Sequence, residues 1–153
     1  MAETTISLPD AIRGVRILFL DTSPVIYYVE GNPRYVNVMR DVFSRVEAGE
    51  IFAITSPVTL AECITHPLKH NLPDLVQRFT HVILRGKHTR FVETDSVVAQ
   101  ATAQLRARYS LALADAMQLA TAIVTRCDGF LTNDARLKRV SEIRVIVIDE
   151  LTA

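Results

Sequence analysis

Short apolar segments alternate along the chain with longer stretches in which apolar residues recur at helical spacing. Residues 15–20 (VRILFL) and 51–55 (IFAIT) are rich in aliphatic side chains, as are 129–132 (GFLT) and 143–149 (IRVIVID), and 90–94 (RFVET) is a shorter strand-like segment. Strands without polar alternation are typical of parallel sheets that are buried on both faces. We therefore predict an α/β protein with a mainly parallel sheet covered on both sides.

Helices are predicted in the stretches between these strands. Ser23 and Ser56 are each followed by proline, a typical helix start because serine caps the helix and proline fits its first position. On this interpretation Ser23 caps the first helix, which leaves Asp21 free at the end of its strand. The helix after Ser56 is expected to end or bend at Pro67. Further helices are predicted in residues 34–49 and 72–84, from Asp95, and from near Ser110.

The composition is that of an ordinary soluble globular chain, with 153 residues, 49% hydrophobic and 22% charged. We expect one domain over residues 15–153, preceded by a short N-terminal extension of residues 1–14. No apolar run is long enough to cross a bilayer, and the first residues lack the pattern of a secretory signal, so a cytoplasmic protein without a membrane partner is expected. Cys63 and Cys127 lack metal-type spacing and are interpreted as reduced thiols, with a disulfide as the alternative.

Acidic side chains follow the predicted strands, at the positions where parallel sheets bind their ligands. Asp21 follows the first strand directly, and Glu62 lies within two turns of the helix after the second. Asp115 is near the start of an alanine-rich helix, and Asp134 follows GFLT. Each acid alone has a structural explanation as a cap, a turn residue or a solvated helix residue. Their common location is what calls for another explanation.

Four carboxylates at one edge of a sheet repel one another unless a cation lies between them or some are protonated. Hard oxygen ligands favour Mg²⁺ or Mn²⁺ over zinc. Ions of this kind, held by acids, serve phosphate chemistry by activating water and neutralising charge on the phosphorus. The acids therefore indicate a divalent-metal site that acts on a phosphate ester.

Four segments resemble, in order, the signature segments of the PIN domain family: LFLDTSPVIYYV, ITSPVTLAEC, LALADAMQLATAI and GFLTNDARL. The resemblance covers about residues 15–149. It implies a three-layer α/β/α sandwich and Mg²⁺- or Mn²⁺-dependent endoribonuclease activity. Small single-domain members of the family are most often VapC-type toxins neutralised by a cognate antitoxin, so RNA and an antitoxin are the expected partners. A homodimer is also expected from the resemblance.

The resemblance also implies roles for individual residues. The metal-binding catalytic acids would be Asp21, Glu62, Asp115 and Asp134. Nearby polar residues that position water or ligands would be Thr22, Thr132 and Asn133. Position 137 departs from the family pattern, since Leu stands where many relatives have an aromatic residue. We expect that change to affect packing only.

The formal net charge is zero, with 17 basic and 17 acidic residues, so RNA has to be held by a local basic patch. Arg136, Lys138 and Arg139 come directly after Asp134 and are the candidates for contacts with RNA phosphates. A solvated surface is the alternative explanation for these residues. A zinc site at His66 and His70 is rejected, because Pro67 intervenes and no third ligand is visible.

Two other functions of α/β proteins do not fit the sequence. An aspartyl-phosphate phosphatase needs a second Asp two residues after the first, where this chain has Ser23. A dinucleotide-binding domain needs a glycine-rich turn after the first strand, and DTSPV has no glycine. Two alternatives remain open. One is a catalytically inactive PIN-like interaction module, and the other is a PIN nuclease of RNA processing that has no antitoxin.

Overall fold

The computed structural model describes residues 4–153, in which strands and helices alternate along the chain. The strands are β1 (Ile6–Ser7), β2 (Ile17–Leu20), β3 (Phe52–Thr55), β4 (Thr89–Phe91), β5 (Gly129–Thr132), β6 (Val145–Val147) and β7 (Leu151–Thr152). The α-helices are α1 (Leu8–Ala11), α2 (Thr22–Glu30), α3 (Val36–Glu47), α4 (Pro57–Lys69), α5 (Pro73–Arg85), α6 (Ser96–Tyr109) and α7 (Leu113–Val124). Two short 3-10 helices follow β5 and β6, at Ala135–Arg139 and Ile148–Glu150.

The central sheet has five parallel strands in the order β4-β3-β2-β5-β6. The chain proceeds outward from β2 through β3 to β4, and then returns to place β5 and β6 on the other side of β2. Phe19 in β2 is therefore in register with Ile54 of β3 and with Phe130 of β5. The gap between β2 and β5 is the topological switch point, where open parallel sheets bind their ligands.

Alternate residues of β2 belong to two separate cores. Leu18 and Leu20 pack with the buried side chains of α2, α3, α4 and α5. Phe19 packs on the opposite face with α6 and α7, where its ring stacks on Phe130 at a centroid distance of 5.2 Å. Since both faces of the sheet are covered by helices, the fold is the predicted three-layer α/β/α sandwich, and that prediction is confirmed.

The N-terminal segment takes part in this fold from Ile6 onward. Strand β1 pairs in parallel with β7 near the C-terminus, with Ile6 opposite Leu151. Helix α1 follows, and its Leu8 side chain is fully buried in the same core as Leu18. Residues 1–3 of the predicted extension lie outside the described residues.

Two of the predicted helix starts agree with the structure. Ser56 caps α4 by accepting a hydrogen bond from the Thr59 amide at 3.4 Å. Asp95 caps α6 by accepting one from the Val98 amide at 2.9 Å. The expected end or bend at Pro67 is not an end, because α4 continues two residues further, to Lys69.

Three predicted boundaries are wrong. The first helix begins at Thr22, with Asp21 and not Ser23 as its N-cap. The helix expected near Ser110 begins at Leu113, because Ser110 ends the preceding helix with a left-handed backbone (φ 53). The last strand covers only Val145–Val147, since the chain turns into a 3-10 helix at Ile148.

Both cysteines in this chain are free thiols, Cys63 buried and Cys127 half-buried, so the disulfide alternative is excluded. Among the described helices, none combines the length and the apolar character that a membrane span requires.

Candidate functional site

Asp21 lies at the carboxyl end of the central strand and is 9% exposed. Its Oδ1 accepts a hydrogen bond from the Thr22 amide at 2.8 Å, and its Oδ2 accepts one from the Thr132 hydroxyl at 2.8 Å. The side-chain amide of Gln118 donates to Oδ1 at a longer distance, 3.5 Å. Burial raises the pKa of Asp21, as does the negative charge of Asp115, while these hydrogen bonds act in the opposite direction.

The N-cap of α2 and the acid at the strand end are therefore one residue. Asp21 satisfies a free amide of the first helical turn, which otherwise has no partner. The interpretation that Ser23 caps the helix and leaves Asp21 free is wrong. Capping leaves the Asp21 carboxylate able to accept further contacts, because each of its two oxygens carries more than one lone pair.

Glu62 lies in the second turn of α4 and is exposed at the same edge. Its Oε1 accepts a hydrogen bond from the Thr22 hydroxyl at 2.7 Å, so Thr22 bridges Asp21 and Glu62. Next to Glu62, Cys63 is buried, and burial together with the charges of Glu62 and Asp21 raises the pKa of its thiol to about 12. The thiol is thus protonated at neutral pH and is a poor metal ligand or nucleophile.

Asp115 occupies the first turn of α7 and is half-buried. Burial raises the pKa of its carboxyl, and the negative charges of Asp134 and Glu62 raise it further, while Arg136 lowers it. Asp115 lines a cleft together with Asp134, and the hydrogen bonds of Thr22 and Thr132 connect Asp21 to Glu62 and to Asp134. The fold therefore brings all four acids to one edge of the sheet. The charges of Asp134 and Glu62 thus oppose the ionisation of Asp115, and the charge of Asp115 opposes that of Asp21.

Asp134 differs from the other acids because it already has a cationic partner. Arg136 donates from Nε to Oδ1 at 3.0 Å and from its terminal nitrogen to Oδ2 at 2.8 Å. These hydrogen bonds, with the positive charge of Arg136, lower the pKa of Asp134. The Asp134 amide donates to the Thr132 hydroxyl at 3.1 Å, so Thr132 connects Asp134 to Asp21.

Asn133 holds three parts of the chain together beside these acids. Its side-chain nitrogen donates to the Tyr27 hydroxyl of α2 at 3.1 Å, and its side-chain oxygen accepts from the Asp149 amide at 2.8 Å. Tyr27 in turn stacks on Tyr35 at a centroid distance of 4.3 Å. In this arrangement Asn133 orients the loop that carries Thr132.

The three basic residues predicted to contact phosphates are in different places. Arg136 and Arg139 line a surface cleft of about 530 Å³ together with Asp115 and Asp134. Lys138 is paired with Glu150, at 2.8 Å, and does not line that cleft. The ionic environment of the cleft is therefore mixed, with two arginines beside two acids.

The donor chemistry of the site fits a hard divalent cation. Within residues 4–153, no three His, Cys, Asp or Glu side chains are placed close enough to hold one ion together. Mg²⁺ commonly takes only one or two carboxylates and keeps water in its remaining positions. Asp21 and Asp115 suit this kind of binding, because burial raises the pKa of each carboxyl and a bound cation would stabilise its charged form.

Sequence reasoning missed Gln118, which is 1% exposed and donates to Asp21. The available signal was an amide in an otherwise apolar, alanine-rich helix, one turn after Asp115. A buried amide needs partners, so its presence indicates a polar network on that side of the helix.

The PIN domain profile matches residues 18–143 of this sequence. The chain belongs to the PIN domain family. The prediction made from the four sequence segments is thereby confirmed. A comparison with curated proteins gave no significant match.

Solved structures with the same fold include toxin–antitoxin proteins. VapBC2 from Rickettsia felis, bound to a fragment of promoter DNA, has a TM-score of 0.67 at 16% identity, covering 86% of this chain and 98% of that one. DNA-bound VapBC from Salmonella typhimurium has a TM-score of 0.66 at 22% identity, covering 87% and 98%. VapC20 from Mycobacterium tuberculosis, a toxin that cleaves the sarcin–ricin loop, has a TM-score of 0.67 at 14% identity, covering 83% and 98%. At these identities the similarity establishes the PIN fold.

Proposed function

We propose that this PIN domain is a divalent-metal-dependent endoribonuclease that hydrolyses RNA phosphodiester bonds, and that it is the toxin of a toxin–antitoxin pair. The observation that carries the proposal is Asp21, a carboxylate buried at the topological switch point of the sheet. Its charged form is disfavoured by burial and by Asp115, and a cation relieves both effects.

Asp21 and Asp115 would hold Mg²⁺ or Mn²⁺, with Glu62 close by through its hydrogen bond to Thr22. A bound ion of this kind supplies activation of water and neutralisation of charge on the phosphate. Arg136 and Arg139 line the cleft beside Asp115, where guanidinium groups favour the binding of phosphate oxygens.

The comparisons support two partners in this proposal, a cognate antitoxin and RNA. The solved proteins from Rickettsia felis and Salmonella typhimurium are VapBC assemblies, which supports a cognate antitoxin for this chain. The VapC20 toxin is named for cleavage of the sarcin–ricin loop, which supports RNA as the substrate class. A homodimer is proposed from the family resemblance alone.

The decisive experiment compares Asp115→Asn with Asp74→Asn, which is also an acid in the first turn of a helix but belongs to α5. The native protein and Asp74→Asn should cleave structured RNA in Mn²⁺ at similar rates, and chelation by EDTA should abolish cleavage. Asp115→Asn should lose at least about a hundredfold in rate, the effect of removing a few kcal/mol of transition-state stabilisation. Cleavage that persists in EDTA, or an Asp115→Asn variant with native activity, would exclude the proposed chemistry.

The alternatives predict different results with the native protein. An inactive interaction module would not cleave RNA in Mn²⁺. An RNA-processing nuclease would cleave RNA but would not be inhibited by the product of the neighbouring reading frame. Co-expression of that product, followed by the same cleavage assay, tests the toxin–antitoxin part separately from the nuclease part.

A further inference from the structure

Gln118 belongs to a buried hydrogen-bond network whose donors and acceptors are fully assigned. The Ser56 oxygen accepts from the Thr59 amide at 3.4 Å, and its hydroxyl proton is donated to the Gln118 side-chain oxygen. The Thr59 hydroxyl donates to the Leu20 carbonyl at 3.2 Å, so its oxygen accepts from the Gln118 side-chain nitrogen at 2.7 Å. These contacts orient the amide, and its nitrogen must face Asp21.

This network joins the three elements that carry three of the acids. Gln118 lies on α7, one turn after Asp115. Thr59 lies on α4, one turn before Glu62. The Leu20 carbonyl, to which Thr59 donates, immediately precedes Asp21. The Gln118 amide therefore belongs to a network whose members lie close in sequence to Asp21, Glu62 and Asp115.

The apolar side chains of α4 and α7 belong to different cores. Helix α4 buries Cys63 in the core on one face of the sheet, whereas α7 buries Leu119 and Ala120 in the core on the other face. The two helices meet beyond the carboxyl edge, where Ser56, Thr59 and Gln118 are each at most 1% exposed. Loss of a polar contact in so buried a location is costly, because it leaves a donor or an acceptor without a partner. The contacts of Gln118 therefore constrain how α4 and α7 are placed.

We propose that Gln118 is a positioning residue, which sets the separation of Asp21, Glu62 and Asp115 through its contacts with Ser56 and Thr59 and thereby sets the affinity of the site for its divalent ion. The proposal rests on the metal-dependent function proposed above. Residues that orient the ligands of a metal commonly change its affinity by roughly 10–100-fold when they are replaced.

The test uses Gln118→Met, which keeps the length of the side chain and removes both polar atoms. Thr59→Val removes the same contact from the α4 side. Thr121→Val is the matched control, because Thr121 is also on α7, is 1% exposed and donates only to the Met117 carbonyl of its own helix, at 2.8 Å. The full chain is used in each case, and folding is verified by circular dichroism.

The first measurement is the Mn²⁺ dissociation constant from isothermal titration calorimetry, which does not depend on activity. We expect it to rise roughly 10–100-fold in Gln118→Met, to rise less in Thr59→Val, and to stay within about twofold in Thr121→Val. In cleavage assays, the Mn²⁺ concentration for half-maximal rate should rise in proportion, while the rate at saturating Mn²⁺ changes much less. If Gln118 had only a structural role, the variant would have a lower melting temperature, and its Mn²⁺ dissociation constant would stay native.

Each result decides the proposal. Native Mn²⁺ affinity in a folded Gln118→Met variant would overturn it and would leave the nuclease proposal intact. If Gln118→Met does not fold, Thr59→Val decides in the same way, since weaker Mn²⁺ binding supports the proposal and native binding overturns it. A native protein that binds no Mn²⁺ would overturn both proposals, a result distinct from the others.

Discussion

Asp21 and Asp134 follow neighbouring strands at the same edge of the sheet, yet their environments are opposite. Asp21 is 9% exposed, and burial raises its pKa. The side chain of Asp134 is 28% exposed, and its ion pair with Arg136 lowers its pKa. Ionisation of Asp21 is costly without a cation. Asp134, in contrast, has a cationic partner in Arg136, two residues further along the chain. The same motif at a strand end therefore gives two different electrostatic roles.

The two acids are also connected, because the Thr132 hydroxyl donates to Asp21 and accepts from the Asp134 amide. Their pKa values are therefore shifted in opposite directions although a single side chain, Thr132, connects the two acids. The direction of the shift depends on which partner each carboxylate meets, and only Asp134 meets a guanidinium. In the proposed metal site, Asp21 would therefore contribute more to ion binding than Asp134 does.

The largest expected effect is on RNA cleavage. Asp21→Asn should reduce the rate by about a thousandfold or more, equivalent to roughly 4 kcal/mol, because it removes a carboxylate with no compensating cation. Asp134→Asn should cost at most about tenfold, because Arg136 already neutralises that carboxylate. Single-turnover cleavage at fixed Mn²⁺ measures both variants. Equal losses would contradict the distinction between the two acids.

A smaller effect is expected on stability without metal. Because folding raises the pKa of Asp21, its carboxyl favours the folded state fully below the unfolded pKa near 3.8, and this contribution is lost as pH rises through the folded pKa. Asp21→Asn should therefore melt above the native protein at pH 7, because the amide has no charge that burial disfavours. The difference should shrink as the pH approaches 4.

Asp134 should behave in the opposite way. Its folded pKa is lowered, so its contribution to stability is present above the unfolded pKa and is lost as pH falls through the folded pKa. Asp134→Asn should therefore melt slightly below the native protein at pH 7, and calorimetry in EDTA over a series of pH values compares the two variants. Shifts of the same sign would show that their environments do not differ as described.

The smallest effect concerns Arg136 itself. Arg136→Gln should raise the pKa of Asp134 towards its ordinary value and raise the pKa of Asp115 further, because the guanidinium lowers both. Stability should change little, since the Arg136 side chain is 85% exposed and solvent weakens an exposed ion pair. Carbon-detected NMR titration of the carboxyl groups measures the pKa values. Lys138→Gln is the control, because Lys138 pairs with Glu150 and should leave the pKa of Asp134 unchanged.

Much of the fold was predictable because its signals are local. The aliphatic segments predicted the strands, and Ser56 and Asp95 predicted two helix starts, since caps and periodicity depend on a few adjacent residues. The pairing of Ile6 with Leu151 was not predictable in this way, because its two strands are short and lie at opposite ends of the chain.

The sequence by itself determined the PIN fold and the four acids that follow its strands and begin its helices. Only the tertiary structure decided that Asp21 is both a helix cap and a buried acid, and that Gln118 and Thr132 donate to it. These two residues lie 97 and 111 positions further along the chain. Burial and hydrogen bonding set the charge state of a carboxylate, and both depend on side chains that meet only when the sheet has formed.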